Sequence, residues 1–148
     1  MIQFQTKHFN ELSLFEFHDI LAVRIQSFVV EQNCPYQELD GKDINAYHVI
    51  GANQKGVIIA TARILLSGVS YPEISIGRVV VKPDYRLKKV GNLLMQECLR
   101  FVDVHLGKQP IRISAQAHLE KFYNSFGFVS TGKAYLEDGI PHIEMLKF

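Results

Sequence analysis

Val79-Val-Val-Lys-Pro-Asp-Tyr-Arg-Leu-Lys-Lys-Val-Gly-Asn-Leu-Leu-Met95 is the stretch on which the reading of this chain turns. Three β-branched residues open it as a strand, and Lys82-Pro83-Asp84 closes that strand as a turn. A helix follows, with apolar residues at Val90, Leu93, Leu94, Cys98, Phe101 and Val102. That spacing is one face of a 3.6-residue period. Between strand and helix run Arg86, Leu87, Lys88, Lys89, Val90, Gly91 and Asn92. Such a loop offers basic side chains, free N–H groups at the positive end of a helix, and a glycine that admits a close approach. Those are the requirements for holding a phosphate or pyrophosphate. A ligand-free strand, surface turn and core helix would read the same way on these residues alone.

Two familiar phosphate loops are excluded, because neither GxxxxGK[ST] nor GxGxxG occurs. What stands instead is R-x-x-K-x-G, from Arg86 to Gly91. It resembles motif A of the GNAT superfamily of N-acetyltransferases, although Lys89 occupies the place where a first glycine is usual. Phe28-Val-Val-Glu-Gln-Asn-Cys-Pro-Tyr36 resembles, without a break, the signature of the ElaA group of that superfamily. His118-Leu-Glu-Lys-Phe-Tyr-Asn-Ser-Phe-Gly-Phe128 resembles GNAT motif B, with its Phe-Tyr pair followed by Gly-Phe. Gln116-Ala-His-Leu119 and Glu137-Asp-Gly-Ile-Pro-His142 also look like that group. The segments come in the family's order and span nearly the whole chain.

Composition bounds the reading. At 148 residues the chain reads as one domain, residues 1–148, long enough for a real core. A net charge of +1 and 21% charged residues argue against nucleic acid as a partner. No apolar run reaches the ~20 residues of a membrane helix, and the N-terminus lacks the apolar run of a secretion signal. The two cysteines form no metal or redox motif, so a reducing, cytoplasmic setting is expected. The histidines are too dispersed to hold a metal, and none is expected.

Along the chain, Ile2 to Phe9 reads as a first strand. Ser13-Leu-Phe-Glu16 reads as a capping box, opening a helix that buries Leu14, Phe17, Leu21, Ile25 and Phe28. Arg24 lies beside that stripe, either as a substrate contact or as an arginine whose stem snorkels to a carboxylate. Pro35 stops the helix, and the acidic loop from Val29 to Asp43 is long enough to bind something. Its acidity suggests a cationic acceptor. Tyr47–Ala52 and Val57–Leu66 read as a hairpin, with Thr61 and Arg63 facing out. In the strand from Glu73 to Lys82, the period-two pattern slips at Gly77-Arg78, the signature of a β-bulge. Further strands are expected at Ile111–Ala115, Lys133–Glu137 and Ile140–Phe148, the last two joined at Asp138-Gly139.

The resemblance implies a GNAT fold: an α+β domain with one twisted, mixed, mainly antiparallel sheet of six or seven strands, a bulge near Gly77–Val80, and helices on both faces. It implies acetyl-CoA as cofactor and an N-acetyltransferase acting by direct attack in a ternary complex. The pantetheine arm would lie on the amides of Val79, Val80 and Val81. The pyrophosphate would lie on the loop from Arg86 through Leu87, Lys88, Lys89, Val90 and Gly91 to Asn92, with Gln116 and Phe122 nearby. Tyr123 would be the acid that protonates the leaving thiolate, although spacing alone equally suits a core tyrosine. Arg24, Glu31, Gln32, Tyr36 and Arg78 would line an acceptor pocket for a small-molecule or peptide amine. Glu31, Asp40, His48 and His118 compete as a base, and none is assigned. A homodimer is common in proteins of this kind. The rival reading is a non-catalytic acyl-CoA sensor.

Overall fold

Seven strands form in the computed structural model, which describes residues 1–148. β1 (Gln3–His8), β2 (Tyr47–Ala52), β3 (Ile58–Leu65) and β4 (Ser75–Val81) make one antiparallel sheet in chain order. β5 (Ile111–Gln116), β6 (Val129–Glu137) and β7 (Ile140–Lys147) make a second, in the order β5-β7-β6. The strands expected as one sheet are therefore divided in two. The sheets meet at one parallel bridge between Ile74 and Ile111, where Arg112 N–H donates to the Ile74 carbonyl at 2.9 Å.

The division follows from the bulge. Arg63 faces Gly77 and Thr61 faces Val80, so β4 carries one residue more than β3 across this interval. The slip falls where the pattern breaks, but the left-handed residue is Arg78, with φ 51°, rather than Gly77. Past Ile76 the outer edge of β4 has no strand partner, and a wedge opens between β4 and β5.

α1 (Leu14–Ile25) starts at the expected capping box: Glu16 N–H donates to Ser13 Oγ at 3.0 Å, and Ser13 N–H to the Glu16 carboxylate at 2.9 Å. Its buried face differs from the expected one. Ile20, Val23 and Arg24 are enclosed, whereas Leu14 is 90% exposed. The polar members of the true stripe, Arg24 and Ser27, hid it from a search for apolar residues. The helix continues as a wider π-turn over Gln26–Glu31. α2 (Val90–Phe101) buries Val90, Leu94, Met95, Cys98 and Phe101, while Leu93 is 46% exposed. α3 (Glu120–Asn124) is a short turn-and-a-half ending before Gly127, whose φ of 93° is the usual left-handed stop.

The helices cover both faces of the first sheet. Ile20 and Val23 of α1 pack on Ile50, Ile58 and Val80. α2 packs on Val49, Ala60, Ala62 and Ile64, and on Ile113 and Met145 of the second sheet. Each such Val, Leu or Ile contributes about 1.5–3 kcal/mol on burial. β3 is buried along its whole length. Thr61 and Arg63 therefore do not face solvent: Thr61 Oγ1 donates to the Val49 carbonyl at 2.8 Å, and Arg63 enters an ion-pair cluster.

Candidate active site

The wedge between β4 and β5 is a cleft of about 610 Å³. That size suits a small-molecule site. Val79, Val80 and Val81 line one wall, Ile113 to Gln116 of β5 the other, and the π-turn, α3 and the β6–β7 turn close its ends. Val81 turns its backbone to the open edge. Its carbonyl accepts from Arg86 Nε at 2.9 Å, while the next N–H, that of Lys82, donates inward to Ile59 at 2.8 Å. Strand alternation then points the Val80 amide into the sheet toward β3, against the expectation that it faces the cofactor. Gln32 Nε2 donates to Gln116 Oε1 at 3.3 Å, a strap joining the end of the first helical segment to the end of β5.

Tyr123 is 7% exposed and lines the cleft. Its hydroxyl has no hydrogen-bond partner in the chain. The enclosed side-chain polar atoms without partners are Thr6 Oγ1, His48 Nδ1 and Arg63 Nε, so the Tyr123 hydroxyl, which is not among them, opens on the cleft. Burial, with the nearby Cys98 thiol adding to it, pushes this phenol well above its ordinary value. It stays protonated and can donate.

Of the expected phosphate loop, only Arg86 lines the cleft, and Leu87 to Asn92 lie beside it. Lys89, in the position where motif A usually has glycine, takes glycine's conformation with φ 60°, and Leu87 does the same at φ 64°. A side chain held left-handed costs about 1–2 kcal/mol. The first intrahelical N–H of α2 bonds are made from Leu93 onward, leaving those of Val90, Gly91 and Asn92 free. A Cβ at Gly91 would lie 3.7 Å from Phe122 and 4.0 Å from Val81, so Gly91 is where the loop, β4 and α3 converge. Neither Phe122 nor Lys88 lines the cleft.

Arg86 is more committed than a free phosphate ligand would be. Besides Val81, it binds Glu31 through both terminal nitrogens, at 2.6 and 2.9 Å, and Ser27 Oγ at 3.1 Å. These hydrogen bonds hold the Glu31 carboxyl below its ordinary value. The pair braces the mouth of the cleft.

Arg24 is corrected outright as an acceptor contact. It is 1% exposed, does not line the cleft, and pairs with Glu38 at 3.1 Å and Asp43 at 2.8 Å. Arg63 pairs with Asp40 at 2.9 Å and Asp43 at 3.2 Å, and Arg78 with Glu38 at 2.6 Å and Asp40 at 3.4 Å. Three arginines thus neutralise three carboxylates of the loop. The loop's acidity is internal, and the cationic acceptor read from it loses its basis. Tyr36 donates to Glu38 at 3.3 Å beneath the Arg78 guanidinium, and burial pushes its phenol up to about 12. Asp40 and His48 are likewise unfit as bases. Asp40 is ion-paired, and His48 is wholly enclosed with Nε2 on the Asp43 carbonyl.

The cleft also gathers residues that the sequence reading left out: Ser114, Glu137 and His142. Ser114 had no signal, and for Glu137 and His142 the only one was the Glu137-to-His142 likeness, which carried no role. The hairpin turn brings them in, with Asp138 at φ 50° and Gly139 at φ 79° reversing the chain.

A profile described as an acetyltransferase (GNAT) domain matches residues 18–147. The chain belongs to the GNAT acetyltransferase family. It is 43% identical to protein ElaA of Escherichia coli K12 over 149 residues, covering 99% of this chain and 97% of that protein. The crystal structure of E. coli ElaA has the same fold, with a TM-score of 0.93, 42% identity and full coverage of both chains. That of an acyl-CoA N-acyltransferase from Pseudomonas aeruginosa matches at 0.94 with 37% identity, again over both whole chains. The GNAT and ElaA resemblance therefore holds. No helix is long and apolar enough to cross a membrane.

Proposed function

We propose that the chain transfers acetyl from acetyl-CoA to a primary amine, by direct attack with both substrates in the cleft. The observation that carries this reading is the unpartnered Tyr123 hydroxyl, open to the same cleft as the unpaired edge of β4. Acetyl-CoA, when bound, supplies the thioester carbonyl. Val81 N–H, beside Val79 on the open edge, offers a backbone donor to the pantetheine or to carbonyl oxygen as it gains charge. The free N–H groups of Val90, Gly91 and Asn92 suit a pyrophosphate, with the charges of Lys88 and Lys89 close by. Gln116 and Phe122 complete that side. Tyr123 gives its proton to the departing sulfur. The dry setting that raises the phenol raises a thiol in the same place, so donor and acceptor stay matched. Gln32, Tyr36 and Arg78, with the Glu31–Arg86 brace, frame the acceptor end for a small-molecule or peptide amine.

Thermal unfolding with and without acetyl-CoA tests the reading. Ligand at 100 times its Kd adds about 2.7 kcal/mol, a rise of roughly 5–10 °C for a chain of this size. Thiol release is then followed across a panel of amines. No thermal shift, or a shift with no amine turned over, overturns the proposal.

A further inference from the structure

His142 is buried at 7% exposure yet lines the cleft, and only one of its ring nitrogens has a hydrogen-bond partner in the chain. Nδ1 lies 2.7 Å from the Ile140 carbonyl. A carbonyl only accepts, so Nδ1 carries a proton and the neutral ring presents its lone pair on Nε2. Nε2 lies 3.4 Å from Glu137 Oε2. The ring stacks on Tyr135, centroids 6.2 Å apart at 15°, which fixes its plane. Glu137 is itself held by Ser114 Oγ at 3.4 Å, while half its side chain stays exposed.

We propose that His142 is the proton acceptor for the attacking amine, its ring held by the Ile140 carbonyl and Tyr135, with the Glu137 carboxylate stabilising the charge that Nε2 acquires. This rests on the acetyl-transfer reading above. The attacking group enters as an ammonium ion. One proton passes from its nitrogen to His142 Nε2, and the imidazolium is stabilised by the Glu137 carboxylate. The freed lone pair forms the C–N bond and the C–S bond breaks. The second proton lost by nitrogen replaces, through solvent, the one Tyr123 has given to sulfur. The His142 proton leaves to water past exposed Glu137, so the products are amide, free thiol and one released proton.

Other groups near His142 do not displace it. Tyr135 and Glu137 face it from β6, Ser114 and Gln116 from β5, and Asp138 from the turn. On its own strand Glu144 is engaged by Arg112 at 3.0 Å, with Lys133 at 3.9 Å. His118 lies on the turn before α3, exposed and without a hydrogen bond that fixes its tautomer.

Hydroxylamine and methylamine separate the steps, being of equal size, while only methylamine is protonated at pH 7. The wild type and His142→Gln are compared with both, using acetyl-CoA as donor. The expected result is a methylamine rate reduced 10²- to 10⁴-fold by His142→Gln, the usual range for a lost general base. Hydroxylamine turnover and the acetyl-CoA thermal shift should be retained. Glu137→Gln should lower the methylamine rate while sparing hydroxylamine, because the imidazolium loses its counter-charge. Equal losses with both nucleophiles would overturn the proposal. So would an unchanged methylamine rate in Glu137→Gln, wild-type turnover of hydroxylamine but not methylamine, or a methylamine-selective loss in His118→Gln in place of His142→Gln. Failure of the wild type with both nucleophiles, or no acetyl-CoA shift, would sink acetyl transfer itself.

Discussion

Arg78 Nε lies 2.6 Å from Glu38, so the residue whose left-handed backbone makes the bulge is anchored by a carboxylate forty positions earlier. Its Nη2 adds a bond to the Glu38 carbonyl at 3.1 Å. The loop from Gln32 to Asp43 is thus part of what holds β4 away from β5. Glu38→Gln leaves Arg24 and Arg78 short of a counter-charge in a buried cluster. Removing one partner of such a pair costs about 3–5 kcal/mol. Urea unfolding at pH 7 should show that loss, and the acetyl-CoA thermal shift should shrink as the bulge relaxes. An unchanged midpoint would mean that the cluster is dispensable.

The same cluster sets the acid limit. Burial acts to raise the Asp40 carboxyl, but hydrogen bonds from Arg63 and Lys42 N–H, with the Arg63 and Arg78 charges, outweigh it and hold the group at about 2. Asp43 is held low by Arg24 and Arg63 against the same opposing burial. Carboxyls depressed in the folded state stabilise it above their unfolded pKa, and that stability is lost as pH falls through the folded value. Stability should therefore hold from neutral pH to about 5, then fall progressively between about pH 4 and pH 2. Asp40→Asn should be less stable at pH 7 and should lose less on acidification. Midpoints measured across pH 2–7 check both.

Tyr123→Phe should fold normally, within about 1 kcal/mol of wild type, because the lost hydroxyl has no partner in the chain. Acetyl-CoA should still raise its midpoint. Thiol release with the best amine should fall about 10²- to 10⁴-fold. Since burial raises this phenol, its donor form persists through neutral and mildly alkaline pH. The wild-type rate should show no alkaline decline below pH ~10, the ordinary phenol range.

At the phosphate loop, fold and ligand pull in opposite directions. Gly91→Ala meets Phe122 at an ordinary 3.7 Å and trims the freedom of the unfolded chain. The ligand-free protein should gain about 0.4–1 kcal/mol, while acetyl-CoA, which needs the backbone close, should bind more weakly. Lys89→Gly relieves the left-handed lysine, worth about 1–2 kcal/mol, against about 0.5–1 kcal/mol of glycine entropy. Its midpoint should rise slightly. Calorimetry of both variants with and without ligand reads each sign.

Much of this was legible in the chain. The capping box at Ser13, the slip at Gly77-Arg78, the Asp138-Gly139 turn and the phosphate-loop helix were local patterns, and each formed where its pattern stood. What stayed hidden depended on distant partners. Arg24 and Arg63 looked like surface or cleft residues because nothing local shows that Glu38, Asp40 and Asp43 fold back onto them. His142 looked ordinary because its neighbour Glu137 reaches it only across a hairpin turn. Leu14 and Ile25 were misplaced for a related reason, since the enclosed stripe of α1 carries an arginine and a serine that no apolar period counts.

The single Ile74–Ile111 bridge has a kinetic consequence. Every extended ladder closes within its own half of the chain, β1 to β4 before residue 82 and β5 to β7 after residue 110. The β2–β3, β3–β4 and β6–β7 ladders join consecutive strands, and such pairings form early in folding because little loop entropy is lost in making them. Beyond that one bridge, the seam between the halves is tied by Gln32 to Gln116 and Cys34 to Asp138, 84 and 104 positions apart, and it contains the cleft. Amides along the seam should therefore gain hydrogen-exchange protection last on refolding and surrender it first on warming, so that catalytic competence is the youngest and most fragile part of the native state.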